Sequence, residues 1–405
     1  MKIIKGKYNS AKVFALKIDD ETNKQVKDLL DQEFTKDSRI AIMPDCHAGA
    51  GCVIGTTMTI KDKIVPFLVG VDVGCGMLVA KFTKDNLSLK DLDDFIHENI
   101  PAGMNVNDQA YEFKTRLEDL KCWNKLKNHS YLKKSMCSLG GGNHFIEVDI
   151  DDKGYYYLVV HTGSRNLGTQ IAEFYQKRAI SYHKHQHDLL LKQKIEEMRK
   201  KDPSKIQQLV SGFKGYKFNE NLCYLEGEDY ISYLHDMNIA QNFASENRRF
   251  IMKKILKFLG LYITKLDVFE SVHNYINMKD KILRKGSIAA YRGQKLIIPI
   301  NMRDGCIIGV GKGNKEYNYS APHGAGRILS RKKAKETISL EDYKESMKGI
   351  YSTCINMNTI DESCFAYKPI ESIIPCIKDS VDIINIIKPI YNFKCDNDYQ
   401  FIRKK

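Results

Sequence analysis

A single histidine stands between a proline and a glycine-rich turn in the segment SAPHGAGRILSR, residues 320–331. Glycine lets a ligand or another backbone approach closely, and arginine binds phosphate oxygens through two parallel hydrogen bonds. His323 and the two arginines that follow it, Arg327 and Arg331, therefore suggest a histidine that acts on a phosphate group. A glycine-rich turn before a basic helix, with a packed histidine, is the alternative that this segment alone leaves open.

A carboxylate and a thiol interrupt the apolar run IVPFLVGVDVGCGMLVA, residues 64–80, which predicts a buried strand. The carboxylate is Asp72 and the thiol is Cys75. An unpaired buried carboxylate is costly, and a bound cation would offset that cost and favour the thiolate. The alternative is a hydrogen-bonded aspartate beside an inert cysteine.

Three histidines stand next to glycine turns or at the ends of predicted strands: His144 in SLGGGNHFIEV, His161 in YYYLVVHTGSR and His273 in VFESVHNYIN. Strand ends beside glycine turns are typical positions for ligands, because the scaffold is rigid and the site is open. Each histidine alone would more often be structural. Together with Asp72 and Cys75 they make five candidate ligands, enough for two metal ions that share the thiolate, an arrangement that handles phosphoryl groups.

A second group of histidines, His183, His185 and His187, alternates in the segment SYHKHQHDL. In a helix, residues two apart point to different faces, so only His183 and His187 could share a ligand. We therefore interpret this segment as an exposed polar face rather than as a metal site.

The composition is that of a globular protein, with 43% hydrophobic and 10% aromatic residues among 405. An excess of 63 basic over 50 acidic residues favours a polyanionic partner such as RNA, DNA or a nucleotide, although a lysine-rich proteome would produce the same bias. The sequence has no apolar signal core and no membrane-spanning run. Eleven cysteines without a CxxC pair indicate a reducing cytoplasm and argue against a zinc ribbon.

The pattern along the chain predicts one α+β domain over residues 1–405. Residues 11–165 favour strands and loops with a few helices, and residues 170–260 show helical periodicity that we interpret as a helical insertion. A polar loop is expected within it, around DPSK and GFKGYKFNENL. Strands are expected again over 263–320, followed by helices to the C-terminus.

The ordered motifs of this chain resemble the RtcB family of RNA-splicing ligases over nearly its whole length. The matching blocks are MPDCHAGAGCVIG, GVDVGCGM, LGGGNHFIEV, HTGSRNLG, VHNY, RKGSIAA, PHGAGRILSR, FAYKPIESI and IKPIYNFK. The resemblance implies an α+β fold of mixed and antiparallel sheets flanked by helices, with the helical insertion.

The resemblance also implies two manganese ions and a GTP-dependent nucleophile. One ion would be bound by Asp72, Cys75 and His144, and the other by Cys75, His161 and His273. His323 would take up GMP from GTP, with Asp45 supporting the metal centre, and Arg165, Lys285 and Arg327 would meet RNA or nucleotide phosphates. The remaining nucleotide-binding residues implied by the resemblance are Asn143, Phe145, Glu147, Asn274, Asn301, Cys306, Gly324, Ala325, Gly326, Tyr367 and Lys394.

One segment departs from the family pattern. The best-known members have a Gly-Ser-Met-Gly stretch after the proline of this strand, whereas this chain has IIPINMRDGC. Asn301 and Cys306 occupy the two serine positions, and Arg303 occupies a glycine position. The departure leaves the ligand set and His323 intact, and it bears on nucleotide contacts and on the favoured RNA.

The leading hypothesis is a cytoplasmic enzyme that joins RNA ending in 3′-phosphate or 2′,3′-cyclic phosphate to RNA with a 5′-hydroxyl. We expect this protein to be a monomer that does not bind a membrane. An archease-type activating partner is compatible with this hypothesis. The runner-up is a dinuclear metal-dependent phosphoesterase or end-capping enzyme without ligation. An RNA-binding protein without catalysis is disfavoured, because it needs neither Cys75 nor His323.

Overall fold

A computed structural model describes residues 1–215 and 219–395, with side chains for 1–213 and 219–395. The strands are Lys2–Lys5 (β1), Ser10–Val13 (β2), Ile40–His47 (β3), Ile54–Thr59 (β4), Gly76–Phe82 (β5), Phe145–Ile150 (β6), Tyr156–Thr162 (β7), Asp267–Val272 (β8), Tyr275–Asn277 (β9), Ile282–Lys285 (β10), Ser287–Ala289 (β11), Lys295–Asn301 (β12), Gly305–Gly311 (β13), Ser320–Pro322 (β14) and Val381–Lys394 (β15). The helices are Asp20–Leu30 (α1), Pro66–Val69 (α2), Leu89–Asn99 (α3), His129–Lys134 (α4), Asn166–Lys201 (α5), Ile206–Gly215 (α6), Gly227–Phe258 (α7), Arg331–Thr337 (α8), Leu340–Ser346 (α9) and Ile370–Ile377 (α10).

The strands form two large sheets and one ribbon. The first sheet has the order β1-β2-β3-β4-β10-β9, the second is the pair β11-β14, and the third has the order β12-β13-β15-β6-β7-β5-β8. All these pairings are antiparallel except β2 with β3, which is parallel. The structure confirms an α+β fold of mixed and antiparallel sheets with helices around them.

The centre of the third sheet is apolar because its strands are covered on both faces. Leu158, Val159 and Val160 of β7 are fully buried, as expected for a near-continuous apolar strand. On one face, Ile251 and Ile255 of α7 pack into the same cluster as Val160. Helix α7 is therefore part of the core that holds the third sheet.

The prediction of a single strand over residues 64–80 is wrong. Pro66 begins the short helix α2, and Gly70 at φ 108° ends it. Proline is favoured in the first helical turn and glycine tolerates positive φ, so the apolar run bends here. Only β5 is a strand, and Asp72 and Cys75 lie in the turn before it.

The helical segment 170–260 is largely as predicted, since α5, α6 and α7 cover most of it. The loop expected around DPSK instead contains a short 3₁₀ turn over Pro203–Lys205 and the helix α6. Residues 216–218 of the second expected loop lie outside the described residues. The designation of 170–260 as an insertion, and of 1–405 as one domain, stays a prediction.

The expectation of helices from 320 to the C-terminus is wrong in one respect. Helices α8, α9 and α10 occur there, but they are followed by β15, a strand of 14 residues. β15 lies between β13 and β6 in the third sheet. Within the described part of the chain, no helix is long and apolar enough to cross a membrane.

Candidate functional site

A cavity of about 360 Å³ opens where the sheets meet. Most of the residues that the sequence singled out line it: Asp72, Cys75, Asn143, Phe145, Glu147, His161, His273, Asn274, Asn301, His323, Gly324, Ala325, Gly326, Arg327, Tyr367 and Lys394. Five others lie behind its wall: Asp45, His144, Arg165, Lys285 and Cys306. The structure thus brings motifs from the N-terminal and C-terminal parts of the chain together around one cavity.

The candidate metal ligands meet at one edge of the third sheet because its strands alternate in direction. β6 and β5 begin at this edge, directly after His144 and Cys75, whereas β7 ends there and β8 is followed there by His273. The register places Phe145 opposite His161, and Gly76 opposite both Thr162 and Val272. Residues far apart in sequence therefore converge through antiparallel pairing.

The first candidate metal group is Asp72, Cys75 and His144. His144 Nε2 lies 3.0 Å from Asp72 Oδ2 and 3.3 Å from Cys75 Sγ. The other nitrogen, Nδ1, is 3.0 Å from the carbonyl oxygen of Leu139. Because Nδ1 donates to that carbonyl, the lone pair of Nε2 points toward the thiol and the carboxylate.

The second candidate metal group shares the thiol of Cys75 with His161 and His273. His161 Nε2 lies 3.3 Å from Cys75 Sγ, and the rings of His161 and His273 are 5.3 Å apart between centroids. Burial lowers the pKa of both imidazoles well below the usual histidine range. Neutral imidazoles keep the lone pair that a metal ion requires.

These donors fit divalent metal ions on two counts. The ligand atoms within each group all lie within 4.8 Å of one another. Asp72 Oδ1 and His273 Nδ1 are buried without a hydrogen-bond partner, which is costly unless a ligand satisfies them. Burial and the neighbouring Asp72 charge raise the pKa of the Cys75 thiol, and a cation would reverse this by favouring the thiolate.

Helix α7 holds the turn that carries Asp72 and Cys75. The fully buried Arg248 donates to the carbonyl oxygens of Gly74 (2.8 Å) and Thr162 (2.7 Å), and it pairs with Glu270 at 2.7 Å. The side chain of Asn274 adds a bond to the carbonyl of Asp72 at 3.2 Å. The sequence motifs gave no signal for Arg248, because it acts from a helix far away in the chain.

The site histidine His323 follows β14 and is held by a buried carboxylate. Asp45 Oδ2, from β3, accepts bonds from His323 Nδ1 at 2.7 Å and from the His323 backbone N–H at 3.1 Å. These contacts run to His323, and the implied role of Asp45 in supporting the metal centre stays a prediction. With Nδ1 donating, Nε2 is the ring nitrogen that keeps a free lone pair.

Gly326 has no room for a side chain. Its φ is +79°, and an added Cβ would contact the backbone carbonyl oxygen of Asp45. We expect Gly326→Ala to displace Asp45 from His323 and to lower any reaction at His323 at least about 10-fold, since small misplacements of reacting groups are costly. Gly349→Ala is the matched control, because Gly349 has φ +88° and no neighbouring atom within 4 Å. Equal effects in rate assays of both variants would contradict this account.

The wall opposite the histidines contains a buried ion-pair network that sequence reasoning missed. Glu362 accepts bonds from Lys394 Nζ at 2.9 Å and from the Tyr367 hydroxyl at 2.7 Å. Arg327 and Arg331 also reach Glu362, at 3.3 Å and 2.6 Å. Four residues that line the cavity are thus fixed by one carboxylate.

Glu362 should make stability depend on pH. Burial alone would raise its pKa, but the charges of Lys394 and Arg331 lower the pKa to about 2, from an ordinary 4.5. Stabilisation is therefore present above pH 4.5 and is lost as the pH falls toward 2, by about 3 kcal/mol in total. Urea unfolding across this window should show that Glu362→Gln removes this part of the pH dependence, whereas exposed Glu341→Gln keeps it. An unchanged pH profile in Glu362→Gln would contradict the network.

Of the two remaining predicted phosphate contacts, Arg165 is half-buried and Lys285 is buried, and both are already bonded. Arg165 donates to Ser138 Oγ at 3.1 Å and to the carbonyl of Gly103 at 2.6 Å. Lys285 donates to the carbonyls of Ala50 and Phe67, and burial lowers its pKa to about 8. Neither side chain lines the cavity in this structure.

The segment IIPINMRDGC, which departs from the family pattern, lies partly in the cavity lining and partly in the sheet behind it. Asn301 lines the cavity, but its side chain organises the β12–β13 turn by accepting from the backbone N–H groups of Arg303 (3.0 Å) and Asp304 (2.9 Å). Cys306 is fully buried in β13, with its sulfur 3.6 Å from Glu147 Oε1. Cys306 itself does not line the cavity, and its sulfur contacts the cavity residue Glu147.

Two further residues of the cavity were not singled out from the sequence. Asn392 donates to Glu147 Oε2 at 2.5 Å, and the ring of His47 lies beside Asp45, with Nδ1 3.0 Å from its carbonyl oxygen. Both stand inside blocks that the resemblance covers, MPDCHAGAGCVIG and IKPIYNFK. The position of Asn392 and His47 within these blocks could have identified them from the sequence.

The alternating histidines of α5 lie away from the cavity. His183 Nε2 accepts from the backbone N–H of Tyr224 at 3.1 Å, and His187 contacts the carbonyl of Phe213 at 3.2 Å. Only His185 of the three is exposed. The expected exposed face is wrong for His183 and His187, which are half-buried and pack against neighbouring segments.

An α+β fold that gathers two thiolate-sharing ligand groups and a carboxylate-bound histidine around one cavity defines a candidate metal-dependent enzyme. The family described as tRNA-splicing ligase RtcB matches residues 25–395. The protein named RNA-splicing ligase RtcB from Escherichia coli K12 is 29% identical over 390 residues, covering 87% of this chain and 88% of that protein. Proteins named tRNA-splicing ligase RtcB are 28% identical in Aeropyrum pernix, over 82% of both chains, and 26% in Thermococcus kodakarensis, over 85% of both. The chain belongs to the RtcB family of RNA ligases.

Proposed function

We propose that this chain joins RNA ending in 3′-phosphate or 2′,3′-cyclic phosphate to RNA with a 5′-hydroxyl, using GTP and two manganese ions. The observation that carries the proposal is the position of His323. Its Nδ1 is fixed by Asp45, and its ring lines the same cavity as Cys75, His161 and His273, with 4.8 Å between the ring centroids of His323 and His273.

In the first step, His323 Nε2 attacks the α-phosphorus of GTP. An N–P bond forms, the bond between the α-phosphorus and the bridging oxygen breaks, and pyrophosphate leaves. The ring acquires positive charge as this bond forms, and the carboxylate of Asp45 stabilises that charge through Nδ1–H. Gly324 and Gly326 line the cavity beside the ring, and the missing side chain at Gly326 lets this turn pack against the backbone of Asp45.

In the later steps, an oxygen of the RNA 3′-phosphate attacks the same phosphorus and His323 leaves, which restores the neutral ring. The RNA then carries a 3′-pyrophosphate link to guanosine. The 5′-hydroxyl of the second RNA attacks the RNA phosphorus, loses its proton and expels GMP. A cyclic phosphate end must first be opened by water to the 3′-phosphate.

Asp72, Cys75 and His144 would hold one manganese ion, and Cys75, His161 and His273 the other. The ions would supply charge neutralisation of phosphoryl oxygens. A carboxylate tolerates manganese, while a thiolate and imidazoles also suit zinc, so manganese is part of the proposal.

The guanylate would lie along the cavity wall next to the metal groups, which we call the guanylate wall. Its lining contains Asn143, Phe145, Glu147, Asn274, Tyr367 and Lys394. Arg327 lies there as well, and it is the cation we assign to phosphate. Arg165 and Lys285, like Arg327, would have to release a backbone carbonyl to reach a phosphate, and only Arg327 lines the cavity.

A joining assay tests the proposal. Two RNAs, one with a 2′,3′-cyclic phosphate and one with a 5′-hydroxyl, should be joined by the purified chain with GTP and manganese, and not with GTP omitted. Opening of the cyclic phosphate without joining would favour the phosphoesterase alternative. A cytoplasmic setting, a monomeric state and an archease-type activator remain predictions.

A further inference from the structure

A third cluster of ligating side chains lies behind the guanylate wall, apart from the two groups that share Cys75. It consists of Glu147, Asp149 and Cys306, whose ligand atoms all lie within 4.8 Å of one another. Glu147 and Asp149 are two apart on β6, so both project from the same face of the sheet. Cys306 comes from β13, with β15 between the two strands.

The surroundings of this cluster are apolar. Cys306 packs in one hydrophobic cluster with Val159, Ile308 and Ile387, and Val159 is the partner of Glu147 across β6 and β7. Asp149 and Cys306 are fully buried and Glu147 is 2% exposed. Two carboxyl groups and a thiol in such a layer carry a large desolvation cost unless a cation or protons neutralise them.

Within the described part of the chain, neither Glu147 nor Asp149 forms an ion pair with a lysine or arginine. The charges of Lys394 and Lys388 act on them from a distance, but the pKa of both carboxyl groups stays raised by burial. Lys394 donates to Glu362 and to the carbonyl of Asn143, and Lys388 donates to the carbonyl of Asp304 at 3.2 Å. Both amino groups are therefore bonded elsewhere.

Asp149 supplies the independent observation. Both of its carboxylate oxygens are buried without a hydrogen-bond partner, although buried carboxylates normally accept several bonds. A side chain in this state has its ligand atoms free for an ion.

We propose that Glu147, Asp149 and Cys306 form a third metal site, for a thiophilic divalent cation of the zinc class. Carboxylate oxygens and a thiolate are ligands that zinc accepts, and three protein ligands leave one position for water. Glu147 also lines the cavity, which provides an entry path.

Metal analysis of the full-length chain tests the site without reference to GTP or RNA. The protein is stripped with a chelator, loaded with excess zinc, desalted and measured by elemental mass spectrometry. Cys306→Ser and Asp149→Asn should each bind about one zinc fewer than wild type, whereas Cys137→Ser, at a buried cysteine outside the metal groups, should not. Equal zinc content in wild type, Cys306→Ser and Asp149→Asn would overturn the proposal.

The absorption spectrum of bound cobalt provides a second test, in which the proposed third metal site is first left unchanged. In Cys75→Ala, a cobalt–thiolate charge-transfer band should persist, because Cys306 still supplies a thiolate, and the band should vanish in Cys75→Ala/Cys306→Ser. A Cys75→Ala protein that binds cobalt without a thiolate band would also overturn the site. Loss of the third metal in Asp149→Asn, with GTP-dependent joining intact, leaves the proposed function standing.

Discussion

Replacement of Cys75 by alanine should remove both metal ions at once and lower RNA joining by on the order of 10³-fold or more. The physical reason is that Cys75 Sγ belongs to both ligand groups, at 3.3 Å from His144 Nε2 and from His161 Nε2. Each imidazole belongs to one group only. His161→Ala should therefore deplete chiefly one ion.

Manganese content per chain, measured alongside joining rates, distinguishes these variants. Cys137→Ala is the matched control, since Cys137 is 1% exposed and stands outside the ligand groups. If Cys75→Ala retained the metal content and activity of the wild type, the shared thiolate would be the wrong assignment. Similar depletion in Cys75→Ala and His161→Ala would contradict the division into two groups.

Replacement of Asp45 by asparagine should slow uptake of guanylate by roughly 10²–10⁴-fold, because a carboxylate that orients and stabilises a reacting histidine contributes on this scale. Asparagine keeps an acceptor for the His323 N–H groups, but it removes the negative charge that offsets the positive ring. The metal content should stay at the wild-type level, since the bonds of Asp45 run to His323.

Single-turnover labelling with radioactive GTP measures this step directly. Asp93→Asn provides a matched control, because Asp93 is also buried but bonds to Tyr391 and Thr353. A normal labelling rate in Asp45→Asn would show that the charge of Asp45 has no part in the reaction. Loss of metal in Asp45→Asn would instead return Asp45 to the metal centre.

The candidate ligand groups that the structure brings together could be predicted, because each of these residues carries a local signal. His144 and His161 stand beside glycine turns at strand ends, and Cys75 lies in a turn before β5, so residue type and position agree. The α+β class followed from strand and helix periodicity in the same way. These features depend on short stretches of sequence.

The features that sequence reasoning missed depend on contacts between distant segments. Arg248 reaches the metal turn from α7, and Glu362 binds Lys394 across 32 residues. The bend at Pro66 was hidden because the run around it is uniformly apolar. Strand β15 was missed because its alternation is irregular, with register shifts at Pro389 and Tyr391.

The role of Asp45 shows the limit of a family resemblance as well. The resemblance implied a site residue at this position, and the structure gave its contact partner. Asp45 lies in β3 and His323 follows β14, so only the three-dimensional structure identifies His323 as that partner. The tautomer that leaves Nε2 free follows from this contact, and the chemistry proposed for the site depends on it.

Intact-mass spectrometry of the chain after incubation with GTP and manganese, without RNA, is the most direct test of guanylate transfer through His323. The wild type should gain one GMP, which acid should remove and alkali should leave in place, because protonation of the ring nitrogen makes it a good leaving group. His323→Ala should gain none. A wild-type protein that binds its metals and opens cyclic phosphates, yet never gains GMP, would contradict the account.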